Sequence, residues 1–235
     1  MYGFYYFDYT YFLIMVPALI VTMIAQLRVN STFEKYSHVR TMHQITGAEA
    51  AERVARFGGV NRLFIKRIAG NLTDNFDPRN DTISLSESVY SSVSVSAVGV
   101  AAHEAGHAIQ HAKGYFPNKV RTFLVPVTNF GSRLSMPLII IGLILPVQYD
   151  FVVYTGIILY SLVVLFQLVT LPVEFNASSR AIRALNDAGI LYPDELEGAK
   201  KVLRAAAMTY LAASFTALMT LLRFLIIANN RRGRR

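Results

Sequence analysis

The sequence predicts a mainly α integral membrane protein, with about four transmembrane helices and a small α+β domain at one membrane surface. Three observations carry this. Hydrophobic residues make up 53% of the 235-residue chain and charged residues only 16%, and the mean hydropathy is +0.37, far from the balance of a soluble domain. The apolar residues fall in four long runs, and a helix needs roughly 20 such residues to cross hydrocarbon. The remaining polar residues are gathered into two segments between those runs.

The runs and segments divide the chain as 1–28, 29–129, 130–172, 173–204 and 205–235. Residues 1–12 are rich in Tyr and Phe and hold no Lys or Arg, the pattern of an aromatic belt at a headgroup surface. Phe12 to Leu27 is almost wholly apolar and predicts an uncleaved anchor, because a basic start and a small-residue cleavage site are both missing. Thr46-Gly47-Ala48-Glu49 is a capping box, followed by Ala48, Ala51, Val54 and Ala55 at helical spacing. Gly58-Gly59 ends that helix. Leu63–Ala69 and Thr82–Leu85 read as strands, with Asp77-Pro78-Arg79-Asn80-Asp81 as turn chemistry between them. A strand there either pairs with the backbone of a bound peptide or only packs the domain. Asn71, Thr73, Asp74, Asp77 and Asp81 do not follow the spacing of an EF-hand loop and read as turns.

A helix then starts near Ser91–Ser96 and runs to about Ala112, where Lys113-Gly114 stops it. The block from Phe130 to Val147, with Arg133 snorkelling, and the run Phe151–Leu171 form a membrane hairpin around the turn Gln148-Tyr149-Asp150. Pro193-Asp194-Glu195 opens a further helix, and Ala205–Ala228 is the last apolar run.

Charge sets the expected topology. Residues 28–133 hold thirteen Lys and Arg and residues 173–204 hold five, while the N-terminal run and the 148–150 turn hold none. The positive-inside rule then places both polar segments in the cytoplasm. The basic tail, Asn229 to Arg235, ends on the opposite side. Either the last run stops short of a full crossing or the tail breaks the rule. The formal charge of +8 is thereby a membrane signature. With no Gly-rich phosphate loop and no interleaved aromatic–basic patch, nucleic-acid binding is excluded as an expectation.

The chemistry lies in Ala102-His103-Glu104-Ala105-Gly106-His107-Ala108. On a helix, His103 and His107 stand one above the other on a single face, and two imidazoles so placed can grip one zinc ion. Glu104 sits about 100° around the helix from His103, close enough to accept a proton from a water there without becoming a ligand. This is the H-E-x-x-H arrangement of zinc hydrolases. The apolar flanks predict a buried helix, where two histidines and a carboxylate are costly without a partner. Ala105 and Gly106 are expected to leave room beside the metal. The chain has no cysteine, so His and carboxylate must supply every ligand.

A catalytic zinc needs a third protein ligand. His111 continues the ladder but lies eight residues, about 12 Å, along the axis from His103, out of reach of a bond of about 2 Å. His38 and His43 remain open. Among carboxylates, Glu174, Asp187, Asp194, Glu195 and Glu197 are candidates. Glu174 stands out because it follows Pro172 among apolar residues where a span ends, and a carboxylate there must be paired, either with a metal or with Arg180 or Arg183.

The stretches Leu72-Thr73-Asp74, Asp77-Pro78, Leu85-Ser86-Glu87, Ser94 to Val98, His103 to Gln110 and Leu171-Pro172-Val173-Glu174-Phe175-Asn176-Ala177-Ser178 together resemble the neutral zinc metallopeptidases of the bacterial YugP-like membrane family. More distantly they are similar to the HtpX-type and CAAX prenyl proteases. The resemblance implies a gluzincin-like zinc peptidase of the bacterial inner membrane with zincin-like catalytic segments. It implies zinc held by His103, His107 and Glu174, with Glu104 as base. The distant relatives carry an Asp four residues after the ligand Glu, where this chain has Ser178. Either Ser178 or Asn176 orients a histidine, or that support is built differently.

The expected function is a zinc-dependent endopeptidase at the cytoplasmic membrane surface, acting on peptides or membrane proteins, with lipid as its surroundings. Glu104 activates the attacking water, and Arg180, Tyr192 and His111 are candidate oxyanion donors. The alternative is a non-catalytic zinc-binding scaffold with a closed site. A cation transporter suits the chain poorly, since the ionisable residues inside the runs, Arg133 and Arg223, are both basic.

Overall fold

The structure, a computed structural model, describes residues 11–232. Most of the N-terminal aromatic belt (Tyr2, Phe4, Tyr5, Tyr6, Phe7 and Tyr9) lies outside the described residues, as do Gly233, Arg234 and Arg235 of the basic tail. A π-helical turn, Tyr11–Met15, leads into α1 (Val16–Ser37). There follow α2 (Gly47–Phe57), β1 (Phe64–Ile68), β2 (Asn75–Asp77), β3 (Thr82–Ser86), α3 (Glu87–Tyr90) and α4 (Val95–Ala112). The chain ends with α5 (Phe116–Ile144), α6 (Asp150–Asp187) and α7 (Pro193–Arg232). Among the described residues, four helices are long and apolar enough to cross a membrane. This is a mainly α membrane protein with a small α+β part.

Two compact units make up the chain. One comprises residues 25–119 and 171–209. The other comprises residues 1–24, 120–170 and 210–235. The helices α6 and α7 have 38 and 40 residues, about 57 and 60 Å at 1.5 Å per residue, roughly twice what a bilayer core requires. The second polar segment is therefore the continuation of two long helices. Pro172 lies inside α6 without ending it, and Thr170 just before it donates its hydroxyl to Phe166 O at 2.8 Å.

In the unit of residues 25–119 and 171–209, a core of small side chains lets helices approach closely. Ala50, Ala51, Val54 and Ala55 of α2 pack with Val98, Ala101, Ala102, Ala105 and Ile109 of α4. Ile83 and Leu85 of β3 complete one side, and Ala181, Leu185, Leu196 and Ala199 the other. The capping box predicted for α2 is formed. Glu49 N donates to Thr46 Oγ1 at 3.2 Å and Thr46 N donates to Glu49 Oε2 at 2.9 Å. These bonds, above all the one from the Thr46 backbone, hold the Glu49 carboxyl below its ordinary range.

The sheet has strand order β1-β3-β2, with β1 parallel and β2 antiparallel to β3. Ile83 is level with Ile65 on one side and Phe76 on the other. β3 is buried at every position and bonded along both edges. It packs the domain, and neither edge of this strand is open to a peptide. Sequence patterning missed β2, which is only Asn75–Asp77, too short to show alternation. The flanking polar residues do make turns: Arg79 N donates to Asp77 Oδ1 at 3.0 Å. Asp74 instead receives Ser86 N at 2.8 Å and the Ser86 hydroxyl. Burial pushes its carboxyl up, against those bonds.

In the other unit, Ile139, Val153, Ile157, Phe224 and Ala228 form the core. Arg231 near the end of α7 reaches the carbonyls of Gly142 and Leu145 at the α5–α6 turn and pairs with Asp150 at 3.3 Å. The last helix thus reaches the α5–α6 turn. One of the tail's arginines is consumed by Asp150 and two carbonyls, so it does not count as a free charge.

Thr46→Ala is expected to cost about 1 kcal/mol, read as a lower thermal midpoint. The Glu49 contribution carries a definite sign. A folded-state pKa below the unfolded value stabilises at neutral pH and is lost as pH falls through the folded value. The midpoint gap between wild type and Glu49→Gln should therefore be present near neutrality and close as pH drops below about 4.

Candidate metal centre

Helix α4 is buried nearly all round. Its start is fixed by Ser94, whose hydroxyl accepts from Ala97 N at 3.2 Å, and by an antiparallel bridge between Arg40 and Ser94. Its polar residues must then find partners inside the protein. His103 and His107 share one face, with ring centroids 4.7 Å apart and planes at 83°. Facing them from α6 is Glu174, only 2% exposed. Its Oε2 lies 3.2 Å from His103 Nε2 and 3.4 Å from His107 Nε2.

These distances fit a metal. Ligand atoms around a tetrahedral zinc with bonds of about 2.05 Å lie about 3.3 Å apart. One ligand atom from each of the three residues falls within 4.8 Å of the others, so the cluster could hold one metal ion.

The opposite edges of both rings are also held. Ser178 Oγ lies 3.1 Å from His103 Nδ1, and Gln110 Oε1 lies 3.1 Å from His107 Nδ1. The Gln110 amide is oriented by its other end, where Nε2 donates to Val173 O at 2.8 Å and Asn176 Oδ1 at 3.0 Å. Its oxygen must therefore face His107 and accept. That places the proton on Nδ1 and leaves the Nε2 lone pair toward Glu174. Asn176 Oδ1 also accepts from Arg180 Nε at 2.7 Å, and the Arg180 guanidinium lies over the Tyr115 ring.

The question left open at residues 176 and 178 thus has a divided answer. Ser178 meets His103 directly, whereas Asn176 meets Gln110, which meets His107. Gln110 was not singled out from the sequence. The available signal was its position three residues after His107, on the same helical face, and an amide buried at 0% exposure.

Glu104 is buried on α4 and does not belong to the three-residue cluster. The other candidates are engaged elsewhere. His38 bonds Glu34, His43 Nδ1 meets Ile190 O, and the exposed His111 packs on Phe76. Glu195 accepts from Met42 N and Tyr192 N, Glu197 pairs with Lys200, and Asp187 accepts from Asn186. Asp194 is exposed. Of the oxyanion candidates, Tyr192 stacks on His43 and Arg180 joins the Gln110 network. The space at Gly106 serves the helix contact and not the metal: a Cβ there would stand 2.4 Å from Ala177 O of α6.

A mainly α membrane fold in which two histidines of an H-E-x-x-H helix meet a buried glutamate of another helix is the frame of a membrane protein that could hold zinc. A family model described as "Putative neutral zinc metallopeptidase" matches residues 11–229, and the chain belongs to that family. It is 44% identical over 217 residues to a protein of Bacillus subtilis (strain 168) named "Putative membrane protease YugP". The match covers 92% of this chain and 96% of that relative. No solved structure matches the chain.

Gly106→Ala is expected to force α4 and α6 apart at the point where their ligand candidates meet. Overpacking of this kind costs about 1–3 kcal/mol, to be read as a fall in the thermal midpoint of the purified protein.

Proposed function

We propose that this chain is a membrane zinc endopeptidase in which His103, His107 and Glu174 hold the metal and Glu104 is the general base. The observation that carries the reading is the Glu174 carboxylate. It comes from another helix, 71 positions along the chain, yet one of its oxygens lies within 3.4 Å of both imidazoles. Zinc bound there supplies Lewis acidity, which makes a water more acidic and polarises a carbonyl.

The chain's own residues do the rest. Gln110 and Ser178 keep both imidazoles in the tautomer whose Nε2 is free to ligate. Glu104, one position from His103 and outside the ligand set, accepts the proton of the attacking water and delivers it to the leaving amide nitrogen. The residues 29–129 supply the helix with the base, and 173–204 supply the third ligand. The excess of Lys and Arg in both segments supports a cytoplasmic site, and the position of Glu174 just past an apolar run supports membrane proteins or membrane-proximal peptides as substrates. Against a closed structural site stands the cluster itself. Among the described residues it holds three groups and no fourth, and a catalytic zinc keeps one position open.

The test separates binding from chemistry. Purified wild type should carry about one zinc per chain; Glu174→Ala should lose it and His111→Ala should keep it. Glu104→Gln should keep the metal while peptide cleavage falls about 10²- to 10⁴-fold. Full cleavage by that variant would sink the mechanism. Gln110→Ala and Ser178→Ala should each weaken zinc affinity about 10- to 100-fold in a chelator competition.

A further inference from the structure

A cavity of about 790 Å³ opens between α1, α6 and α7, wholly within the unit of residues 25–119 and 171–209. Its volume is in the range of sites that hold small organic ligands. Its lining combines two chemistries. Phe175, Ile182, Leu203 and Met208 are apolar, while Arg28, Lys35, Lys200, Lys201 and Arg204 bring five cations to it. Among the described residues, no carboxylate lines it. Glu197 pairs with Lys200 and feels the charges of Lys201 and Arg204, so one carboxylate outside the cavity serves three cations.

This concentration is unfavourable by itself. Lys200 and Arg204 are four residues apart on α7, a spacing at which like charges repel. Arg28 and Lys35 share one face of α1 with Thr32 between them. The sequence places the cavity where the apolar runs end. Arg28 is the first residue after the run Phe12–Leu27, and Arg204 the last before the run Ala205–Ala228. Phe175 follows the run Phe151–Leu171 by four residues. A ligand for this site must bring negative charge to the cations and hydrocarbon to the wall. A free phosphate meets the first requirement and a zwitterionic lipid the second.

We propose that this cavity binds one anionic phospholipid, its phosphodiester held by Arg28, Lys201 and Arg204 and its upper acyl chains against Phe175, Ile182 and Met208. Guanidinium groups suit phosphate oxygens through paired N–H donors, and the Thr32, Tyr36 and Ser179 side chains that line the same cavity offer hydroxyl donors. The proposal is independent of the peptidase reading, since it needs no metal and no cleavage. Ser178, which holds His103, also lines the cavity, so the test leaves that residue untouched.

The experiment is native mass spectrometry of the full-length protein in a neutral detergent, titrated with phosphatidylglycerol or phosphatidylcholine. One phosphatidylglycerol should be retained per chain, more tightly than phosphatidylcholine. Combined Arg28→Gln, Lys201→Gln and Arg204→Gln should weaken that retention about tenfold or more. The charge-preserving set Arg28→Lys, Lys201→Arg and Arg204→Lys should retain the lipid better than the glutamine set, and Arg53→Gln, Arg62→Gln and Lys66→Gln elsewhere on the surface should retain it fully. An unchanged thermal midpoint and far-UV circular dichroism spectrum in each variant certify its fold. Equal retention of both lipids would overturn the proposal in favour of an apolar crevice, and equal loss in the remote variants in favour of a diffuse field. Displacement by glycerol phosphate or by a glutamate-rich peptide would overturn it in favour of a soluble anion or a protein partner.

Discussion

The meeting of Glu174 with His103 and His107 is the contact on which the rest of the structure depends. An ionised carboxylate at 2% exposure is too costly to leave without compensation. The Nε2 atoms of two imidazoles lie 3.2 and 3.4 Å away, and with their lone pairs turned toward the carboxylate it is a cation held among the three that would compensate it. That contact dictates how close α4 and α6 must come, and the close approach dictates the residues between them. Gly106 lies against the Ala177 carbonyl, and Ala102, Ala105, Ala177 and Ala181 are fully buried. Larger side chains in these positions would hold the helices too far apart for three ligand atoms to converge.

Each ring also has a fixed back edge. Ser178 and Gln110 take the two Nδ1 positions, and Gln110 is aligned in turn by Val173 O and Asn176. The residues that hold the histidines therefore come from both helices, as the ligands do. A displacement of α6 along α4 would break ligands and supports together. The site is consequently a property of the helix pair, and its rigidity comes from a core that runs from α2 and β3 through α4 to α6 and α7.

The same helices carry the cavity on another face. On α6, Glu174, Ala177 and Ala181 are buried while Phe175, Ser178, Ser179 and Ile182 line the cavity. One helix separates the His103–His107–Glu174 cluster from a basic, half-apolar pocket at the ends of three apolar runs. Ser178 belongs to both. The two functions proposed here thus share a wall, which gives the proposed lipid site a short path to a histidine.

Much of this was legible in the chain. The class of fold followed from composition and run length, because hydrocarbon demands a long uninterrupted apolar helix. The capping box at Thr46, the end of α4 at Lys113 and the start of α7 at Pro193 followed from local backbone chemistry, which acts over three or four residues. The pairing of His103 and His107 followed from helical pitch alone. Other features depended on neighbours distant in sequence. β2 exists because β3 needs a partner on its second edge. Pro172 stays helical within a packed α6. Gly106 is needed for α6 and not for the metal, and Gln110 supports His107 only because Val173 and Asn176 turn its amide. Glu174 already stood out among five carboxylates by its place at the end of an apolar run, and packing supplied its contact with both histidines. Local sequence sets which groups can act, since dihedral preference and periodicity are short-ranged. Which of them meet is decided by packing, which brings together atoms that the chain keeps 71 positions apart.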